Sequence, residues 1–173
     1  REARDIETIN MYHEYLEKGY SKEEILLKIN TKGRDNARRP MQWTAEKNAG
    51  FTTGTPWIDV NPNYQTINVA AALADKNSLF YTYQEMIRLR KEHPLIVWGN
   101  FELLETVDEV ISFYRTYGEE RWLVVTNFSD KVQPFSADVH VEQVMIENMP
   151  TDVTALADYS LAPWQAFVVK VSQ

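Results

Sequence analysis

At Pro94 the apolar residues of this chain change their spacing, and that change constrains the fold more than any other feature. Upstream, large apolar side chains recur every three to four positions, as on an amphipathic helix. Downstream they alternate, as on a strand with one buried face. Helices followed by a run of strands, rather than interleaved with them, predict an α+β chain with an antiparallel sheet. A chain of 173 residues has the length for one or two domains. The natural boundary falls near residue 95.

Ile6, Ile9, Tyr12 and Leu16 predict a helix over residues 5–19, stopped by Gly19. Ser21-Lys22-Glu23-Glu24 has the capping-box pattern. It starts a second helix, with Ile25, Leu26 and Ile29 on the buried side and Gly33 at the end. Residues 69–73 read as a short helical piece. After a cap within residues 75–78, Leu79, Phe80, Tyr83, Met86, Ile87 and Leu89 form a wide apolar stripe that Pro94 ends. Glu85, Arg88, Lys91 and Glu92 face outward.

Residues 33–69 follow neither period. They hold Pro40, Pro56, Pro62, Gly50 and Gly54 together with Trp43, Phe51, Trp57 and Tyr64. The aromatics argue against a solvated linker, so a long ordered loop with short helical turns is expected.

Beyond Pro94, strands are expected over residues 102–105, 110–117, 121–128, 139–146, 152–156 and 166–171. Turns fall at Gly118-Glu119-Glu120, Ser129-Asp130-Lys131 and Met149-Pro150-Thr151. Trp122-Leu123-Val124-Val125 is apolar on both faces and reads as a central strand. Short strands joined by short turns predict an antiparallel sandwich of about 80 residues.

Composition narrows the function. Hydrophobic residues make up 44% and charged residues 25%, enough for a real core. The net charge is −7, which disfavours nucleic acid and anionic membranes because phosphate binding needs a basic patch. No cysteine is present, excluding disulfides, thiolate nucleophiles and cysteine metal sites. A cytoplasmic location fits that composition. No apolar run approaches the roughly 20 residues of a membrane span. Arg1-Glu2-Ala3-Arg4 carries neither a secretory signal nor an initiator Met, so the chain is expected to begin within a longer protein.

His13, His93 and His140 lack ligand spacing, and no metal is expected. No Gly-rich phosphate loop occurs, and no cofactor is expected. Asn127-Phe128-Ser129 matches a glycosylation sequon that reads as accidental. Acidic groups such as Asp5, Glu7 and Glu23-Glu24 read as helix caps or solvated faces.

The exception is Gly33-Arg34-Asp35-Asn36-Ala37-Arg38-Arg39-Pro40-Met41-Gln42-Trp43. Guanidinium forks can bind a sugar hydroxyl while paired with a carboxylate, and an indole can lie beside the apolar face of a pyranose. The same residues can equally form a local salt-bridge cluster that holds the loop.

Arg34-Asp35-Asn36-Ala37-Arg38-x-Pro40-Met41-Gln42-Trp43, then Ala49-Gly50-Phe51-Thr52, Pro56-Trp57-Ile58 and Val60-Asn61-x-Asn63-Tyr64, closely resemble oligo-1,6-glucosidases, dextran glucosidases and trehalose-6-phosphate hydrolases. These are enzymes of glycoside hydrolase family 13, the α-amylase superfamily. Asp5-Ile6-Glu7-Thr8-Ile9-Asn10-Met11-Tyr12, Ser78-Leu79-Phe80-Tyr81-Thr82-Tyr83 and Leu89-Arg90-Lys91 look similar too. Weaker likeness continues through Thr126-Asn127-Phe128 and Leu161-x-Pro163-Trp164-x-Ala166.

The resemblance implies that residues 1–94 are the loop and last helices of a catalytic (β/α)8 barrel and residues 95–173 the antiparallel β domain called domain C. It implies retaining hydrolysis by an Asp nucleophile and a Glu acid, roughly 5–5.5 Å apart. A third Asp lies in an Asn-His-Asp motif. All three belong upstream in such enzymes, no Asn-His-Asp occurs here, and no catalytic residue is expected in this chain.

By the same resemblance Arg38 contacts the glucose at the non-reducing end and pairs with an Asp from an upstream loop. Arg34, Asp35, Gln42 and Trp43 then structure the loop. Arg39 departs from the pattern, which has Thr or Ser there. The implied partners are an oligosaccharide and the upstream barrel of the same polypeptide. Trehalose-6-phosphate hydrolase and a non-catalytic sugar-binding or interaction module are the alternatives. Ile6, Ile9, Leu79, Tyr83 and Met86 count against the last, because they need a partner surface.

Overall fold

A computed structural model describes residues 4–150 and 155–172. The chain divides into two compact units, Arg1–Ser78 and Leu79–Gln173.

In the first unit, helix α1 spans Ile6–Glu17 and helix α2 spans Lys22–Lys32. Asp5 caps α1, its carboxylate accepting from the Thr8 amide. The expected capping box is present on α2: Ser21 accepts from the Glu24 amide, and the Glu24 carboxylate accepts from the Ser21 amide. Ile25 is fully buried, as its spacing predicts. Leu26 is not. It is 48% exposed, because one small neighbouring helix covers only a narrow stripe of α2.

Residues 33–68 contain neither an α-helix nor a strand, only three short 3-10 turns at Arg34–Asn36, Lys47–Gly50 and Pro62–Gln65. The middle turn is unusual. Asn48, Ala49 and Gly50 all take positive φ, at 55°, 58° and 65°. A left-handed alanine costs about 1–2 kcal/mol, so neighbouring contacts must hold it. The Ala49 carbonyl accepts from the Trp43 amide at 2.8 Å and the Thr44 amide at 3.1 Å. The Asn48 side chain donates to the carbonyls of Thr52 at 3.1 Å and Gly54 at 2.8 Å. At Gly50 a Cβ would lie 2.6 Å from Thr44 Oγ1. Helix α3, Val69–Ala74, closes the segment: its Val69 and Ala70 amides donate to the carbonyls of Gln42 and Trp43.

In the second unit, helix α4 spans Leu79–Glu92. His93 then takes an extended conformation, as a residue before proline must. Pro94 ends one helix and also opens another, α5, Pro94–Trp98, since proline suits a first helical turn. Gly99 lies close against two carbonyls; a Cβ there would be 2.4 Å from Leu95 O.

Among the described residues seven strands follow: β1 Asn100–Leu103, β2 Val110–Tyr117, β3 Glu120–Asn127, β4 Gln133–Phe135, β5 His140–Glu147, β6 Tyr159–Leu161 and β7 Ala166–Ser172. Five form an antiparallel sheet ordered β1-β2-β3-β7-β5, and β4 pairs with β6 in a two-stranded ribbon. The fold is α+β. β1 begins two residues before its expected start. β4 and β6 were not expected, being too short to display a period. Of the strand expected over 152–156, residues 152–154 lie outside the described residues, as does Thr151 of the expected turn. Ala155 makes a single bridge to His140.

β3 is central; Leu123, Val125 and Asn127 are buried on one face, and Trp122 is buried on the other, where Val124 and Thr126 are half-buried. Leu123 and Val125 join Val110, Tyr114, Phe135, Leu161, Phe167 and Val169 in the larger core, which draws from both sheets. Trp122 points the other way and packs with Leu89 of α4 and Leu95 of α5.

Candidate functional site

The Arg34–Trp43 segment is built around Asp5. That residue is 3% exposed. Its Oδ2 accepts from Thr8 Oγ1 at 2.9 Å and the Thr8 amide at 3.3 Å. Its Oδ1 accepts from Arg34 Nη2 and lies 3.7 Å from Arg38 Nη2. The Arg34 hydrogen bond, with help from Thr8, holds the Asp5 carboxyl down at about 2 against the burial that would raise it.

Asp35 forms the second node. Its Oδ2 accepts from the amides of Arg4 at 2.9 Å and Asp5 at 3.1 Å, and its Oδ1 accepts from Arg38 Nη2. Burial pushes the Asp35 carboxyl up, but the two amides and Arg38 outweigh it and leave the group below its ordinary range. Glycosidic bond cleavage needs one carboxyl that is protonated in the resting enzyme. Asp5 and Asp35 are both held ionised and suit anchoring rather than acid catalysis.

Arg38 therefore meets two carboxylates. Its guanidinium carbon also stands 5.6 Å from the centroid of the Trp57 ring. Gln42 donates from Nε2 to Ile67 O, and Trp43, with an exposed indole, shares its carbonyl with Ala70. Arg39 donates to Val60 O at 3.5 Å. The structure thus brings Arg34, Asp35 and Arg38 into one network and leaves Gln42 and Trp43 to bind loop backbone.

Two features lay beyond sequence reasoning. Asp5 read as a cap, which it is, but its partners lie 29 and more residues away. Trp57 carried no signal tying it to Arg38. A groove of about 620 Å³ runs between α1 and α2, past Met11, Tyr15 and Lys28, and takes in Asp5 and Arg34 of this network. A second, of about 570 Å³, is lined by Glu105, Pro134 and Asp158. Arg38 lines neither.

Among the described residues no group of three or more His, Asp or Glu could hold a metal ion. Asn127 of the sequon is buried. Its amide donates to Lys131 O and Ala162 O, so it is unavailable to solvent in the folded chain. No helix among the described residues is long and apolar enough to cross a membrane.

Residues 5–99 match the α-amylase catalytic-domain family, and the chain belongs to that family. The chain is 48% identical over 170 residues to a glucan 1,6-alpha-glucosidase of Streptococcus pneumoniae, covering 98% of this chain and 32% of that protein. It is 49% identical over 175 residues to an oligo-1,6-glucosidase of Parageobacillus thermoglucosidasius, covering 97% of this chain and 31% of that one. A solved trehalose-6-phosphate hydrolase of Bacillus licheniformis superposes with a TM-score of 0.86 at 36% identity, covering 99% and 32% of the two chains. The chain spans about a third of the length of these relatives.

Proposed function

We propose that this chain is the C-terminal portion of an exo-acting retaining α-glucosidase that hydrolyses α-1,6 bonds of isomalto-oligosaccharides and dextran ends. The catalytic carboxylates lie in the upstream part of the polypeptide, and the chain alone is inactive. Residues 1–94 complete the catalytic barrel, and residues 95–173 form domain C. Arg38 contacts the terminal glucose; Arg34, Asp35, Gln42 and Trp43 hold its loop. The site of action is the cytoplasm.

The observation that carries this proposal is the anchoring of Arg38. A guanidinium held against two ionised carboxylates, with its charge nearly balanced, can offer its remaining N–H groups to neutral sugar hydroxyls. High identity to two α-1,6-glucosidases supports the linkage. The superposition on a trehalose-6-phosphate hydrolase favours trehalose-6-phosphate as the second reading.

The test is glucose release from isomaltose and from trehalose-6-phosphate, by the chain and by the longer polypeptide. Isomaltose cleavage by the longer polypeptide alone is the expected result. Hydrolysis by the 173-residue chain itself would require a catalytic pair within it and overturn the proposal.

A further inference from the structure

Trp57 is not itself part of the proposed contact between Arg38 and glucose. Its indole is 66% exposed, so it fills no core of its own unit. Its backbone is nonetheless held, because Pro56 precedes it and the neighbouring Ile58 is buried. The Arg38 guanidinium lies 5.6 Å from its ring centroid, within the distance at which the electron-rich face of an indole attracts a cation.

Arg38 thus has three restraints of two kinds. Asp35 and Asp5 supply charge, and Asp35 is itself fixed by the amides of Arg4 and Asp5. Carboxylates alone leave a long arginine side chain free to pivot about the charged contact. A ring beside the guanidinium restricts the tilt of its plane. That tilt decides where the unused N–H groups point, because they diverge in a fixed planar fork.

We infer that Trp57 is a positioning residue for Arg38, setting the orientation in which the fork meets a sugar hydroxyl. This rests on the reading of Arg38 as a substrate contact. Trp57 touches no reacting atom in this role. It acts through Arg38, and its loss weakens binding of substrate and transition state alike.

The competing explanation is that Trp57 is exposed only because an upstream segment covers it. A covering role needs apolar bulk, which leucine and phenylalanine each supply in part; a cation–π role needs a ring, which only phenylalanine supplies. The variants are therefore Trp57→Leu and Trp57→Phe. In the longer polypeptide, Trp57→Leu is expected to raise KM for isomaltose about fivefold with kcat nearly unchanged. Trp57→Phe retains most of the affinity. On an Arg38→Ala background, Trp57→Leu adds no further rise, since the two residues act as one unit.

In the 173-residue chain, NMR supplies a readout independent of activity. The Arg38 Hε resonance should show a ring-current shift that Trp57→Leu abolishes and Trp57→Phe preserves. An unchanged Arg38 resonance in Trp57→Leu, or an unchanged KM, would overturn the inference. So would a Trp57→Leu effect that is additive with Arg38→Ala. If the wild-type polypeptide fails to cleave isomaltose, the functional proposal falls, while the Arg38 resonance still decides whether Trp57 positions it.

Discussion

Asp5 binds helix α1 with one carboxylate oxygen and Arg34 with the other. A single side chain thereby joins the start of a helix to a loop 29 residues downstream. Asparagine at this position keeps the cap but loses the charge that Arg34 meets. Asp5→Asn is therefore expected to lower Tm of the chain, and Asp5→Ala to lower it further. Thermal unfolding by circular dichroism measures both. Equal Tm values for all three proteins would mean that neither contact matters.

The same carboxylate sets a pH dependence. Its pKa is about 2 in the folded chain, against an ordinary value of 3.8. A depressed folded pKa contributes stability that is present above the ordinary value and lost as pH falls through the folded one. The Tm difference between wild type and Asp5→Asn should hold at neutral pH and shrink between pH 4 and about 2. Asp35 and Glu24, also lowered, act in the same direction in both proteins. A constant Tm difference down to pH 2 contradicts the assignment.

Ser112 on β2 is fully buried, and its hydroxyl has no hydrogen-bond partner among the described residues. A buried, unmatched hydroxyl destabilises by about 1–3 kcal/mol. Ser112→Ala should raise stability by about 1 kcal/mol, read as a higher urea midpoint at unchanged m-value. A lower midpoint would point to a bound water satisfying the hydroxyl.

Leu123 and Leu79 test the burial pattern. Leu123 is fully buried at the centre of the sheet, whereas Leu79 is 83% exposed on α4. Leu123→Ala should cost about 3 kcal/mol in this chain. Leu79→Ala should change it by less than about 0.5 kcal/mol. In the longer polypeptide the second value should rise, if α4 packs on an upstream barrel as proposed.

With Arg38 contacting the terminal glucose as proposed, Arg38→Ala in the longer polypeptide removes a charged hydrogen bond to sugar. Its kcat/KM on isomaltose should fall about tenfold to a hundredfold. Steady-state kinetics on isomaltose and on a longer isomalto-oligosaccharide would reveal whether the loss is confined to short substrates.

Much of the fold was legible because local chemistry dictates it. Ser21 and Glu24 announce a capped helix, and the doubly apolar Trp122–Val125 run announces a central strand. The ribbon strands β4 and β6 were hidden because three residues cannot show a period. Leu26 misled because a periodic apolar residue is buried only if a neighbour arrives to cover it. Within the candidate site, the residue types of the Arg34–Trp43 segment announced a charged cluster. Its hub at Asp5 did not show, because capping is a local pattern and an ion pair across 29 residues leaves none. The compact units part at Ser78 and Leu79, upstream of the change in period at Pro94, because Leu89 of α4 packs with Leu95 and Trp122.

Trp122 and Leu123 are adjacent on β3 yet belong to different cores. A slip of β3 by one residue would exchange the two faces, driving an indole into space shaped for a leucine and putting Arg121 or the smaller Leu123 against Leu89 and Leu95. Mispaired sheets are thus rejected by volume as well as by polarity. The unequal size of two neighbouring side chains acts as a built-in gauge of strand alignment during assembly.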